Sequence, residues 1–96
     1  VDWNSREGQY ARFRELCRII DLPGGFSLND LGCGYGALLD YLAQAGIRCV
    51  YRGYDVAASM VDAARARHAD IPDATFEVAG EPLATADFSV ASGIFN

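Results

Sequence analysis

Several features that would point directly to a function are scarce or missing in this 96-residue sequence. No apolar run approaches the roughly 20 residues that cross a bilayer, and the polar opening stretch from Val1 to Glu7 has no signal-peptide core. A cytoplasmic protein with no membrane partner is expected. Basic residues are outnumbered, 8 against 13 acidic, for a net charge of −5. An acidic domain repels phosphate backbones, which argues against a nucleic-acid partner. Cysteine is limited to Cys17, Cys33 and Cys49, an odd number with none of the short spacings of a zinc knuckle. Free thiols in a reducing compartment, with no metal site, are the expectation. The single histidine, His68, stands among Arg65, Arg67 and Asp70 and reads as a solvated helix-end residue rather than a ligand or a base. There are no repeats, linkers or low-complexity tracts, so residues 1–96 are expected to form one domain with a thin core.

What is present is an apolar pattern that switches between helical and strand-like periods, the mark of an α/β fold. Residues 4–20 read as a helix, with Asn4 and Glu7 at capping-box spacing and Phe13, Leu16, Cys17 and Ile20 on one stripe. A breaker run at 21–25 ends it. Residues 26–31 read as a first strand, 32–36 as a glycine-rich turn, and 37–45 as a helix with Leu38, Tyr41, Leu42 and Ala45 on one face and Gly46 at its C-cap. A second strand spans 48–54, closed by Asp55. A helix over about 57–69 puts Ala57, Met60, Val61, Ala64 and His68 on one face. A third strand at 74–79 sets Phe76 and Val78 on one side, and a fourth follows at 87–92. Strand–helix–strand units of this length make a parallel sheet, so the architecture is a Rossmann-like sheet of about four strands flanked by helices.

The chemistry centres on Asp30-Leu31-Gly32-Cys33-Gly34-Tyr35-Gly36. Glycines at 32, 34 and 36 remove Cβ atoms where a strand turns into a helix, so a ligand can approach the backbone. The helix start behind the turn supplies N–H groups, and ligands of such sheets sit at the carboxyl ends of the strands. Spacing alone does not choose the ligand. Gly32-x-Gly34-x-x-Ala37 also satisfies the dinucleotide pattern, with Asp55 in the range of a ribose-binding acid.

The run at 30–36 resembles motif I of class I S-adenosylmethionine-dependent methyltransferases, an acid and an apolar residue followed by G-x-G-x-G. Residues 53–60, ending in Met60, are similar to that family's second motif, residues 79–83 to the segment after its third strand, and residues 87–92 to its fourth strand. The family's complete fold has seven strands, so the resemblance implies its N-terminal, cofactor-binding half, truncated relative to that fold. An open sheet edge in such a half invites a homodimer or a covering partner.

The resemblance also implies roles. Asp30 holds the positively charged amino end of S-adenosylmethionine, directly or through water. Gly32, Cys33 and Gly34 form the backbone cradle, and Asp55 accepts from both ribose hydroxyls. Val56 or Met60 packs on the adenine face, and Glu81 takes the adenine amino group. Read without the resemblance, Asp55 is equally a helix N-cap and Glu81 a solvated loop acid. Tyr35 either covers the methionyl group or half-buries itself on the next helix. In the N-terminal helix, Arg12 is a candidate partner for the cofactor carboxylate and Tyr10 for the mouth of the site, but the preferred reading is that Tyr10 and Phe13 pack the helix onto the sheet and Arg12 is solvated.

The reaction implied is methyl transfer to an unidentified small-molecule or protein acceptor, with no base evident and Asn96 a candidate positioning residue. The end of the fourth strand lacks the Asn/Asp-Pro-Pro-Tyr run of nucleobase amino-methylating enzymes. A nicotinamide-dependent oxidoreductase is the first rival, with Asp30 standing where dinucleotide folds usually carry an apolar residue. A non-catalytic methyltransferase-like scaffold is the second.

Overall fold

The computed structural model describes residues 6–19, 25–80 and 83–91, with side chains throughout except at 6, 9, 12 and 16–19. Seven elements follow one another: α1 (Arg6–Ile19), β1 (Phe26–Leu31), α2 (Ala37–Gln44), β2 (Cys49–Asp55), α3 (Ala58–Arg67), β3 (Ala74–Val78) and β4 (Phe88–Val90). The expected elements are all there; from β1 on, their ends differ from expectation by at most two residues, and residues 4, 5 and 20 of the expected first helix lie outside the described residues. Ala45 is the C-cap of α2 rather than its last turn, and Ala57 is the N-cap of α3. Asn4, Leu16, Cys17 and Ile20, on which the reading of the first helix partly rested, fall outside the described residues or side chains.

The strands form one parallel sheet in the order β3-β2-β1-β4. The register sets Leu28 beside Tyr51 and Ala74, and Asp30 beside Gly53 and Phe76. Side chains of a strand alternate between faces, so Phe26, Leu28, Tyr51 and Phe76 share one face. They form a single core with Phe13 of α1, Leu38, Leu39 and Leu42 of α2, and Val61 and Ala64 of α3. Each such side chain contributes about 1.5–3 kcal/mol by leaving water. Helix α1 docks on α2 through aromatic edges: Tyr10 and Tyr41 meet at 5.4 Å in a T-shaped pair, and Gln44 Nε2 donates to the Tyr10 hydroxyl at 3.0 Å. The chain leaves α2 by a Schellman turn, in which the N–H of Gly46 (φ 72°) donates to Ala43 and that of Ile47 to Leu42.

The opposite face is gripped by the loop before β4. Asn29, itself buried, donates from Nδ2 to the carbonyl of Ala84 at 2.7 Å, and Arg52 Nη1 donates to Thr85 at 3.3 Å. Strand β4 is held by a reciprocal clasp. The N–H of Ser27 donates to Asp87 Oδ2 at 2.8 Å, while the N–H of Asp87 donates to Ser27 Oγ at 2.9 Å. Because β2 lies on one side of β1 and β4 on the other, the strand order reverses at β1, and the carboxyl ends of the strands at such a switch point are where open α/β sheets take ligands.

Val78 falls on the side of Phe76 as expected and, at the carboxyl end of β3, is 49% exposed. One expectation needs correcting. His68 is 5% exposed and belongs to the interior, because Phe76 and the glycine turn close over it.

Candidate functional site

The turn after β1 is built from alternating left-handed glycines, with φ of 71° at Gly32, 56° at Gly34 and 96° at Gly36. A side chain at any of these three positions would be strained. Gly36 is the N-cap of α2 and carries no side-chain cap; its carbonyl accepts from Asp40 N–H instead. The turn is stitched to the end of β2. Both Gly32 and Cys33 donate their N–H groups to the carbonyl of Tyr54, at 2.8 and 3.0 Å.

Asp55 completes that stitching with its side chain. Oδ2 accepts from the N–H of Gly34 at 2.9 Å, and Oδ1 from the N–H of Ala57 at 3.0 Å. Asp55 is thus not the N-cap of α3, which is Ala57; its carboxylate closes the turn that leads into the helix. Each oxygen of an ionised carboxylate has about two acceptor sites, so each keeps one beyond its amide. The geometry fixes the plane of the group while leaving acceptors for two hydroxyls.

Asp30 lies beneath the turn and is fully buried; the Tyr51 hydroxyl donates to its Oδ2 at 2.6 Å. Burial, together with the Asp30 charge and this hydrogen bond, pushes the Tyr51 hydroxyl well above its ordinary pKa. Cys33 is also buried, and its thiol donates to the carbonyl of Gly34 at 3.4 Å. Desolvation first, then the charges of Asp30 and Asp55, push this thiol up to about 12. It is a packing group, not a nucleophile. Room for it comes from Gly53, where a Cβ would stand 2.9 Å from Cys33 Sγ and 2.8 Å from the Phe76 ring.

Apolar surface gathers at the same end of the sheet. Val56 is 83% exposed immediately after Asp55, and Met60 on α3 reaches the turn, its Cε 3.5 Å from the place a Gly34 side chain would occupy. Val78 is in register with Asp55, and the next N–H, that of Ala79, donates to the Asp55 carbonyl at 2.8 Å. Asp30, Gly32, Cys33, Gly34, Asp55, Val56 and Met60 are thus brought to one end of β1 and β2. Glu81 and Asn96 lie outside the described residues, as does the side chain of Arg12. Tyr10 packs on α2.

Sequence reasoning missed Tyr51 and Val78. Tyr51 reaches Asp30 from a position that is not its register partner, and Val78 stands exposed at the end of its strand. Among the described residues, no three His, Cys, Asp or Glu side chains converge as a metal site would require, and no helix is long and apolar enough to cross a membrane.

A family model described as a methyltransferase domain matches residues 29–95. A putative methyltransferase of Mycobacterium tuberculosis is 52% identical over 79 residues, which make up 82% of this chain and 48% of that protein. The chain therefore spans about half the length of the curated relative it matches. Among solved structures, coclaurine N-methyltransferase, bound to N-methylheliamine and SAH, has a TM-score of 0.67 at 24% identity, over 84% of this chain and 26% of its own. Magnesium protoporphyrin IX methyltransferase from Synechocystis, with bound SAH, also scores 0.67 at 24% identity, over 90% and 41%. The glycopeptide N-methyltransferase MtfA, complexed with sinefungin, scores 0.66 at 20% identity, over 86% and 36%. At these identities the likeness is one of fold.

Proposed function

Since the chain belongs to the methyltransferase-domain family, we propose that it binds S-adenosylmethionine at the carboxyl ends of β1 and β2 and serves methyl transfer from it to a small-molecule or protein acceptor. The observation that carries this reading is Asp55, whose two oxygens are each anchored by one amide and each left with an acceptor for a ribose hydroxyl. The SAH and sinefungin bound in the solved relatives support it.

The site's other features fit the same ligand. Gly32 and Gly34 leave the backbone bare for the ribose and methionyl portions. Val56, Met60 and Val78 offer apolar surface for the adenine ring, and Glu81 remains the candidate for its amino group. Asp30 is closed off from solvent, so it acts on the ligand's ammonium from beneath the turn, as a fixed negative charge in a low-dielectric setting rather than by direct contact. S-adenosylmethionine supplies an electrophilic methyl on a sulfonium, and the protein's part is to orient that group and exclude water.

A nicotinamide dinucleotide is a poorer match. The N–H groups of Gly32, Cys33 and Gly34 already have protein acceptors, and a buried carboxylate lies under the place a pyrophosphate would take.

The test is calorimetric titration of S-adenosylmethionine, S-adenosylhomocysteine and NAD into the intact natural protein, with Asp55→Ala as control. Binding of the two sulfur nucleotides alone, lost in the variant, is the expected result. Binding of NAD, or no binding of any of the three, overturns the proposal.

A further inference from the structure

His68 takes no part in the roles described so far, yet it is buried at the end of α3. Its ring stacks on Phe76 at 5.5 Å and 24°. Its Nε2 lies 3.2 Å from the carbonyl oxygen of Tyr35 and 3.6 Å from Asp40 Oδ1. A carbonyl only accepts, and so does an ionised carboxylate. Both neighbours therefore select a ring with its proton on Nε2, which donates to Tyr35. The fit is close: a Cβ at Gly36 would stand 2.6 Å from Nε2, so the chain at the third glycine rests directly on the imidazole.

The preceding residue grips the same loop from outside. The Arg67 guanidinium lies 5.1 Å from the centroid of the Tyr35 ring, a cation–π distance. It is held there by Asp40 Oδ2, which accepts from Nε at 3.0 Å and Nη2 at 2.9 Å. The last turn of α3 thus holds Tyr35 twice, by its carbonyl and by its ring. The groups facing His68 are Asp40 from α2, the Tyr35 carbonyl from the turn and Phe76 from β3, with Arg65 and Arg67 on its own helix.

We propose that His68 is a positioning residue for the cofactor: by donating to the Tyr35 carbonyl it fixes the Tyr35–Gly36 peptide, and with it the part of the glycine turn that meets the amino-acid end of S-adenosylmethionine. This rests on the cofactor reading above. A buried ring has little freedom to move, so the peptide it holds keeps one orientation toward a ligand.

The experiment uses the intact natural protein, well below its unfolding temperature, and compares S-adenosylhomocysteine with adenosine, which lacks the amino-acid end. His68→Phe keeps a ring on Phe76 and removes the donor; His68→Gln restores an N–H. His68→Phe is expected to weaken S-adenosylhomocysteine by up to about tenfold, since loosening the turn can take from the ligand no more than the one hydrogen bond that preorganised it, to leave adenosine within about twofold, and to be largely rescued by His68→Gln. Equal loss for both ligands, or none for either, overturns the positioning role. A wild-type protein that binds neither overturns the cofactor reading instead. Should His68→Phe fail to fold, 15N NMR of the wild-type ring decides. A ring that carries a proton on Nε2 and shifts on saturation with S-adenosylhomocysteine supports the role. An Nδ1–H tautomer, or a ring that ignores the ligand, overturns it.

Discussion

The Tyr51 hydroxyl reaches from β2 to the Asp30 carboxylate on β1 at 2.6 Å, with both side chains completely shielded from solvent. The two residues are not register partners. Asp30 is paired with Gly53 and Tyr51 with Leu28, so the tyrosine leans along the strands to reach the carboxylate. Removing the hydroxyl deprives a buried charge of a donor, a more costly loss than that of a neutral hydrogen bond. Tyr51→Phe is expected to lower stability by about 1.5–3 kcal/mol, read as a lower urea midpoint at unchanged slope.

Asp55→Asn tests the double role of that carboxylate. One amide can still be accepted by the remaining oxygen, but the new NH₂ group faces another N–H, at Gly34 or Ala57. We expect a loss of about 1–3 kcal/mol in stability and S-adenosylhomocysteine binding weakened by well over tenfold. Unchanged binding by calorimetry would remove Asp55 from the site.

Two glycine substitutions separate conformation from packing. Gly36→Ala meets both a φ of 96° and His68, whereas Gly53→Ala meets only Phe76 and Cys33. Overpacking alone costs about 1–3 kcal/mol, and a left-handed alanine adds about 1 kcal/mol or more. Thermal melts should therefore rank Gly36→Ala below Gly53→Ala.

Alkaline titration should expose Cys33 and Tyr51 together. Both have folded-state pKa values raised above their unfolded ones, so each contributes stability that is complete below the unfolded value and is lost above it. For Cys33 the window runs from the ordinary 9.0 up to about 12, and for Tyr51 it opens at 10.0. Stability is expected to fall from about pH 9 upward, with a shallower fall in Tyr51→Phe. In mass-mapped alkylation of the native protein at pH 8, Cys49, which is partly exposed, should label well before Cys33.

The glycine turn was legible in the sequence because its signal is local: the seven residues 30–36 at the end of β1 carry it, and Asp55 marks the end of the next strand in the same way. The elements were legible because Leu38, Leu42, Val61 and Ala64 keep helical spacing and are all buried. His68 was not, since its burial depends on Phe76, which arrives from another strand, and on the bare backbone at Gly36. The exposure of Val78 was hidden for the opposite reason. Alternation gives the face of a residue but not where along the strand the covering helix stops.

The Ser27–Asp87 clasp joins residues 60 positions apart, while β1, α2, β2, α3 and β3 pair in the order they occur along the chain. Closing a loop of that length costs entropy before any contact repays it. Folding should therefore begin in the stretch that carries Asp30, the glycines and Asp55, with β4 the last strand to join. The cofactor cradle would then already be shaped in the transition state, and mutations there should slow refolding, whereas Ser27→Ala should chiefly hasten unfolding.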